Sequence, residues 1–143
     1  YVVWELTLRC DQRCVFCGSR AADNRPNELT TGEALDVVDA LARAGTREVV
    51  LIGGEAYLHD GITEILARLR ERGITPVMTT GGRGIDRARA RLLAEAGLAR
   101  ASVSIDGIGA THDLLRATPG SYDAAVAALE ELRDAGVEIA ANT

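Results

Sequence analysis

Aromatic side chains are scarce in this sequence, 3% with a single Phe and a single Trp, so an interior must be assembled from Ala, Val, Leu and Ile. No run is long and apolar enough to span a bilayer, and a membrane-embedded helix is not expected. Positive charge is in deficit: 16 basic against 21 acidic residues leave a net charge of -5. With no aromatic-rich basic stretch either, the chain lacks the footprint of sequence-independent nucleic-acid binding, and no nucleic-acid partner is expected. The opening Tyr-Val-Val-Trp-Glu-Leu-Thr-Leu has no initiating Met, basic region or cleavage site. It reads as an excerpt of a longer protein without a secretory leader. Cysteine is limited to three residues, all within the eight positions from Cys10 to Cys17. An odd, tightly spaced set cannot form a disulfide framework, so metal ligation in a reducing, cytoplasmic setting is the expectation.

What is present is a regular alternation. The 143 residues, 47% hydrophobic, suffice for one domain with a sizeable core. A strand-like run from Val2 to Leu8 leads into the cysteine loop. Thr30-Thr31-Gly32-Glu33 then reads as a capping box opening a helix to about Ala44, with Ala34, Val38, Leu41 and Ala42 on one face. Glu48 to Ile52 reads as a buried strand. Asp60 is placed to cap a helix carrying Ile62, Ile65, Leu66 and Leu69, followed by a strand from Thr75 to Thr80. Asp86 opens a helix with Leu92, Leu93 and Ala96, which feeds a strand from Arg100 to Ile105. Ser121 is expected to cap a helix through Val126, Leu129 and Leu132, and a last strand begins near Val137.

Glycines at 45, 73, 97 and 136 stand where these helices end, separated by 28, 24 and 39 residues, which suits the left-handed residue of a helix C-terminus. The longest spacing contains an enlarged loop, Asp106 to Gly120. Alternating strands and amphipathic helices imply an α/β fold with parallel strands joined by right-handed crossovers. Ligand sites are expected at the C-terminal ends of the strands. The sequence stops inside a fifth strand.

The densest chemistry lies in Cys10-Asp11-Gln12-Arg13-Cys14-Val15-Phe16-Cys17, a CxxxCxxC loop directly after the first strand. Three thiolates so spaced can hold three irons of a cubane cluster and leave the fourth iron open to a non-protein ligand. A zinc site is the competing reading, but it wants a fourth protein ligand, and the nearest histidine in sequence is His59. Three inert buried thiols are the other alternative, a poor match for a loop containing Asp11, Gln12 and Arg13. Gly53-Gly54-Glu55 after the second strand combines close backbone approach with a carboxylate able to accept from an ammonium. At the end of the fourth strand, Ser104 and Asp106 share a side by the period of two.

The three-cysteine spacing with Phe16 before the last cysteine resembles the signature of the radical S-adenosylmethionine (radical SAM) superfamily. The resemblance runs through the whole chain, residues 1–143, as the N-terminal portion of a radical SAM core domain. It implies a partial (βα)6 TIM-like barrel interrupted in its fifth strand, with Cys10, Cys14 and Cys17 holding a 4Fe-4S cluster and S-adenosylmethionine as second cofactor. Gly53, Gly54 and Glu55 match the GGE segment that binds the cofactor's methionyl amino group, with Ala56 where Pro is frequent. Thr79-Thr80-Gly81-Gly82 resembles a Thr-Asn-Gly segment, so Thr80 maps onto a cofactor-contacting hydroxyl and Gly81 replaces the Asn. Ser104 and Asp106 match a Ser-x-Asp-Gly segment directed at the cofactor's ribose or carboxylate. Arg116, in Thr111-His112-Asp113-Leu114-Leu115-Arg116, is the expected partner of the cofactor carboxylate, while His112 is expected to be structural.

The resemblance also implies reductive cleavage of the cofactor to methionine and a 5'-deoxyadenosyl radical that abstracts a substrate hydrogen. An external one-electron donor of flavodoxin or ferredoxin type would be needed. The Ser104 to Arg116 region is closest to the peptide- and protein-modifying branch, whose members often carry a C-terminal auxiliary-cluster domain, and points to a peptide substrate. Small-molecule cofactor biosynthesis and a non-catalytic metal-binding module are the alternatives.

Overall fold

The computed structural model describes residues 1–143 and consists of five parallel strands in the order β1-β2-β3-β4-β5. They are β1 (Val2–Thr7), β2 (Glu48–Gly53), β3 (Thr75–Thr80), β4 (Arg100–Ser104) and β5 (Glu138–Asn142). Between them run α1 (Thr31–Arg43), α2 (Ile62–Glu71), α3 (Arg87–Glu95), α4 (Ala110–Leu115) and α5 (Ser121–Asp134), with one 3-10 turn at Ala56–Leu58. Sequential parallel neighbours require a crossover each time, and crossovers of one hand put every helix on the same face of the sheet. Leu6, Val49, Leu51, Met78, Ala101 and Val103 of the strands join Val38, Ile65, Leu66, Leu69, Leu93 and Leu132 of the helices in one buried cluster. Residues of the opposite parity, such as Glu5, Thr79, Ser102 and Ser104, therefore face the other side of the sheet.

The local expectations are met where side chains act on their own segment. Thr30 and Glu33 form the reciprocal capping box of α1, and Asp86 accepts from the Arg89 amide at the start of α3. Gly45, Gly73, Gly97 and Gly136 all carry positive φ at helix ends. In α2, Ile62, Ile65, Leu66 and Leu69 form the buried stripe, each full burial contributing about 1.5–3 kcal/mol. On its outer side Arg68 and Arg72 converge on Asp39 of α1 at 3.1 and 2.8 Å.

Other expectations are corrected by tertiary contacts. Asp60 does not cap α2: Gly61 holds the cap position without a side-chain bond, and Asp60 accepts from the Arg9 guanidinium at 2.9 Å. Ser121 does not cap α5 either, since it is already inside the helix. Asp113 of α4 does so from across the loop, accepting from the amides of Gly120 and Tyr122 and the hydroxyl of Ser121. Those donors hold the Asp113 carboxyl below its ordinary range, the Tyr122 amide contributing most. Leu92 is 51% exposed, because Ala90 and Leu93 take the inner face of α3. In α5 the inner stripe is Ala125, Ala128 and Leu132. A Cβ on Gly82 would lie 2.9 Å from Ala128 Cβ, so the glycine and alanines together let α5 approach the end of β3.

Candidate active site

The cysteine loop leaves β1 and is closed at its base by backbone bonds. Arg9 bridges Ala22 in parallel fashion, with Cys10 N donating to Ala22 O at 3.1 Å and Ala22 N to Leu8 O at 2.9 Å. Glu28 fixes the returning segment by accepting from the Thr7 hydroxyl at 2.8 Å and the Leu8 amide at 3.3 Å. On the sheet face away from the helices, Glu5 holds Ser19 and Arg25. All three cysteines are free and half-buried. Each sulfur has an N–H directed at it: Gln12 N to Cys10 at 3.4 Å, Ala21 N to Cys17 at 3.3 Å, and Arg116 Nη1 to Cys14 at 3.6 Å. Burial pushes the Cys10 thiol up to about 11, reinforced by Glu55 and Asp11, so ligation there must displace a proton.

The donor set fits an iron-sulfur cluster better than zinc. His59 has both ring nitrogens occupied, Nδ1 accepting from Gly61 N at 3.0 Å and Nε2 facing Leu29 O at 3.4 Å. Cys10, Asp11 and Glu55 do bring ligand atoms within 4.8 Å of one another. Yet Asp11 is bonded to Tyr57 and Glu55 to Thr80 and Gly81, and a single ion there would leave Cys14 and Cys17 unused. Three soft thiolates on one short loop with N–H donors around them are the environment of a cubane.

Glu55 stands beside this loop at the end of β2, and the two glycines before it explain how. A Cβ on Gly53 would lie 2.1 Å from Thr7 O, and one on Gly54 2.0 Å from Arg9 O. Their bareness lets β2 dock onto the chain entering the cysteine loop. Gly54 N donates to Thr7 O at 2.8 Å and Glu55 N to Arg9 O at 2.7 Å. The Glu55 side chain is 3% exposed and accepts from the Thr80 hydroxyl at 2.5 Å and the Gly81 amide at 2.7 Å. Burial nevertheless pushes its carboxyl up to about 7 against those two donors. Thr80 thereby orients Glu55, and its hydroxyl also accepts from Gly82 N at 2.9 Å.

At the end of β4, Ser104 lies half-buried on the helix-free face, while Asp106 forms an ion pair with Arg116 at 2.5 Å. The Arg116 guanidinium also lies 5.6 Å from the Phe16 ring centre, and Val15 N donates to Leu115 O at 3.0 Å. The end of α4 is thus clamped to the cysteine loop. His112 is fully buried, accepts from Asp106 N at 3.1 Å through Nδ1, and packs edge-on against Tyr122. Burial lowers its pKa, followed by the Arg116 charge, which suits the structural role expected of it.

Two groups were not singled out by motif. Tyr57 donates to Asp11 Oδ2 at 2.8 Å, accepts from Gly84 N at 3.0 Å and carries Arg89 over its ring at 5.0 Å. It couples the cysteine loop to the segment after β3, and burial raises its phenol far above the ordinary range. Gln12 is 1% exposed between the cysteines and Gly81. A polar residue in a polar loop and a Tyr in a single short turn give no periodic signal of burial, so neither is legible in the sequence.

The family model described as Radical SAM superfamily matches residues 4–143. Among curated relatives, Fe-coproporphyrin III synthase of Methanosarcina barkeri is 38% identical over 139 residues, covering 96% of this chain and 35% of the relative. Mycofactocin maturase MftC of Mycolicibacterium smegmatis is 33% identical over 136 residues, covering 94% of this chain and 34% of the maturase. Among solved structures, Streptococcus suis SuiB bound to S-adenosylmethionine superposes with a TM-score of 0.84 at 19% identity, over 99% of this chain and 33% of SuiB. The chain spans about a third of the length of these relatives. The strand order, the cysteine loop and the family match over residues 4–143 agree: this chain belongs to the radical SAM superfamily, with a 4Fe-4S cluster and S-adenosylmethionine as its cofactors.

Proposed function

We propose that this chain is the cluster- and cofactor-binding core of a radical SAM enzyme acting by hydrogen abstraction. The observation that carries the reading is the convergence, at the C-terminal edge of one parallel sheet, of the Cys10-Cys14-Cys17 loop with a buried carboxylate. Cys10, Cys14 and Cys17 would hold the cluster, and Glu55, fixed by Thr80 and Gly81, would accept from the methionyl ammonium. Ser104 and Asp106 lie one strand further along, where they would meet the ribose or carboxylate. Arg116, whose Nε has no partner, would meet the carboxylate while Asp106 keeps it in place. Phe16 flanks the same region. When bound, the two cofactors supply reductive cleavage of the sulfonium and a carbon radical that takes hydrogen from substrate. That chemistry needs one electron from outside, for which we propose a donor of flavodoxin or ferredoxin type.

For the substrate we propose a peptide or protein. The similarity to a mycofactocin maturase supports it, as does the shared fold of SuiB, which has been solved bound to its precursor peptide SuiA. A second reading, modification of a tetrapyrrole, is favoured by the 38% identity to an Fe-coproporphyrin III synthase and by 33% identity to the pre-heme d1 synthase of Dinoroseobacter shibae. The test is anaerobic reconstitution of the full-length protein with iron and sulfide, reduction, addition of S-adenosylmethionine and chromatography for 5'-deoxyadenosine. Formation lost in Cys10→Ala, Cys14→Ala or Cys17→Ala supports radical chemistry. A loaded cluster without cleavage refutes it. Repeating the assay with a co-expressed precursor peptide and with an iron-porphyrin, and reading mass shifts, separates the two substrate classes.

A further inference from the structure

Gln12 is an anomaly among its neighbours. Val15 and Phe16 of the same loop are 68% and 53% exposed, whereas Gln12 is 1% exposed and its Nε2 has no hydrogen-bond partner. An unpaired buried amide donor is destabilising, and a leucine would occupy a similar space without that penalty. The position of the carboxamide gives the reason for keeping it polar. Its Oε1 lies 3.7 Å from the Cys14 sulfur, and the Gln12 amide donates to the Cys10 sulfur. Its tip is seated on Gly81, where a Cβ would come within 2.6 Å of Oε1 and 2.9 Å of Nε2. Gly81 is also where the resembled segment has Asn, so the Gln12 carboxamide fills the space that an Asn side chain would enter.

With the thiol protonated, the Cys14 S–H donates to Oε1. A cysteine bound to iron has no such proton, and the same contact would set an amide oxygen against a thiolate. Half a turn about the last torsion of Gln12 exchanges oxygen and nitrogen with almost no change of shape. It pairs the orphan N–H and the anionic sulfur in a single contact. Hydrogen bonds to ligand sulfurs are among the factors that set iron-sulfur potentials, because they withdraw charge and favour the added electron.

We propose that Gln12 is a positioning residue for the cluster: its carboxamide N–H donates to the Cys14 thiolate, holds that ligand in place and stabilises the reduced form. The inference rests on the reading of the cysteine loop as a cluster site. It is tested in the full-length protein, reconstituted anaerobically, by measuring iron per chain and by redox titration followed by electron paramagnetic resonance. Gln12→Leu is expected to load iron as the wild type does and to lower the reduction equilibrium constant about tenfold, equivalent to about 59 mV for one electron. Gln12→Met, as long as the glutamine but without an N–H, is expected to show the same loss. A loaded Gln12→Leu protein with the wild-type midpoint overturns the proposal, since a merely structural role would change the melting temperature and not the potential. If Gln12→Leu takes up no iron, Gln12→Met decides: loading with a lowered midpoint, or no loading at an unchanged melting temperature, supports the role, whereas a wild-type midpoint, or no loading with a lowered melting temperature, overturns it. A wild-type protein that forms no cluster overturns the cluster reading itself and this inference with it, an outcome distinct from an unchanged potential in a loaded variant.

Discussion

Replacing Glu55 with Gln should make the cluster-free protein more stable while disabling the cofactor site. The Glu55 carboxyl is raised from an ordinary 4.5 to about 7, chiefly by burial, a difference equivalent to about 3 kcal/mol between its two protonation states. Because the folded state holds the proton more tightly than the unfolded chain, the penalty is absent below about pH 4.5. It grows between there and pH 7 and is complete above. The introduced carboxamide keeps an oxygen for the Gly81 amide but turns an NH2 toward the Thr80 hydroxyl, a mismatch costing about 1 kcal/mol. The net expectation for Glu55→Gln is a gain of about 2 kcal/mol at pH 8 and a loss of about 1 kcal/mol at pH 4.5. Urea unfolding of the cluster-free protein at the two pH values measures both. Equal stability of variant and wild type at pH 8, or a gain independent of pH, would refute the reasoning. The reconstituted variant should bind S-adenosylmethionine at least tenfold more weakly, the trade between stability and a strained site seen when a buried charge serves a ligand.

Gly54→Ala sets a methyl 2.0 Å from Arg9 O; it should destabilise by about 3 kcal/mol and reduce iron per chain, read by unfolding and iron analysis. Leu51→Ala, fully buried under the helices, should cost about 3 kcal/mol yet leave iron content and cluster potential unchanged in the fraction that folds. Asp113→Ala removes the cap of α5 and should lower the melting temperature at pH 7. The depressed carboxyl contributes its stability above its ordinary value near 3.8 and loses it as pH falls through the folded value, so the gap to wild type should shrink in scans below pH 3.8. Arg116→Lys keeps a charge but cannot serve Cys14 and Asp106 together; it should weaken cofactor binding, measured by the change S-adenosylmethionine makes in the electron paramagnetic resonance spectrum.

The sequence by itself determined the elements and their order, because those follow from interactions within a few residues: the Thr30–Glu33 box, the stripe of Ile62, Ile65, Leu66 and Leu69, and the glycines that end each helix. The cysteine spacing also carries the radical SAM resemblance from which the cluster chemistry is implied, while zinc stayed open until folding placed both His59 nitrogens on other partners. The tertiary structure alone decided which polar groups serve the site. Asp60 and Ser121 have the right chemistry to cap helices, yet Asp60 is drawn to Arg9 from elsewhere in the chain, and Ser121 falls inside α5, whose cap is Asp113 of the preceding helix. Gly53 and Gly54 were legible as a place of close approach, but only folding showed that the carbonyls of Thr7 and Arg9 are what they approach. Gln12, Asp11 and Tyr57 carry no periodic or spacing signal; Gln12 and Tyr57 are buried and Asp11 half-buried because the segment after β3 closes over the cysteine loop. Local geometry is set by near neighbours in the chain, whereas burial and hydrogen-bond partnership are set by what arrives from elsewhere, and it is burial that gives Glu55 and Gln12 their chemistry.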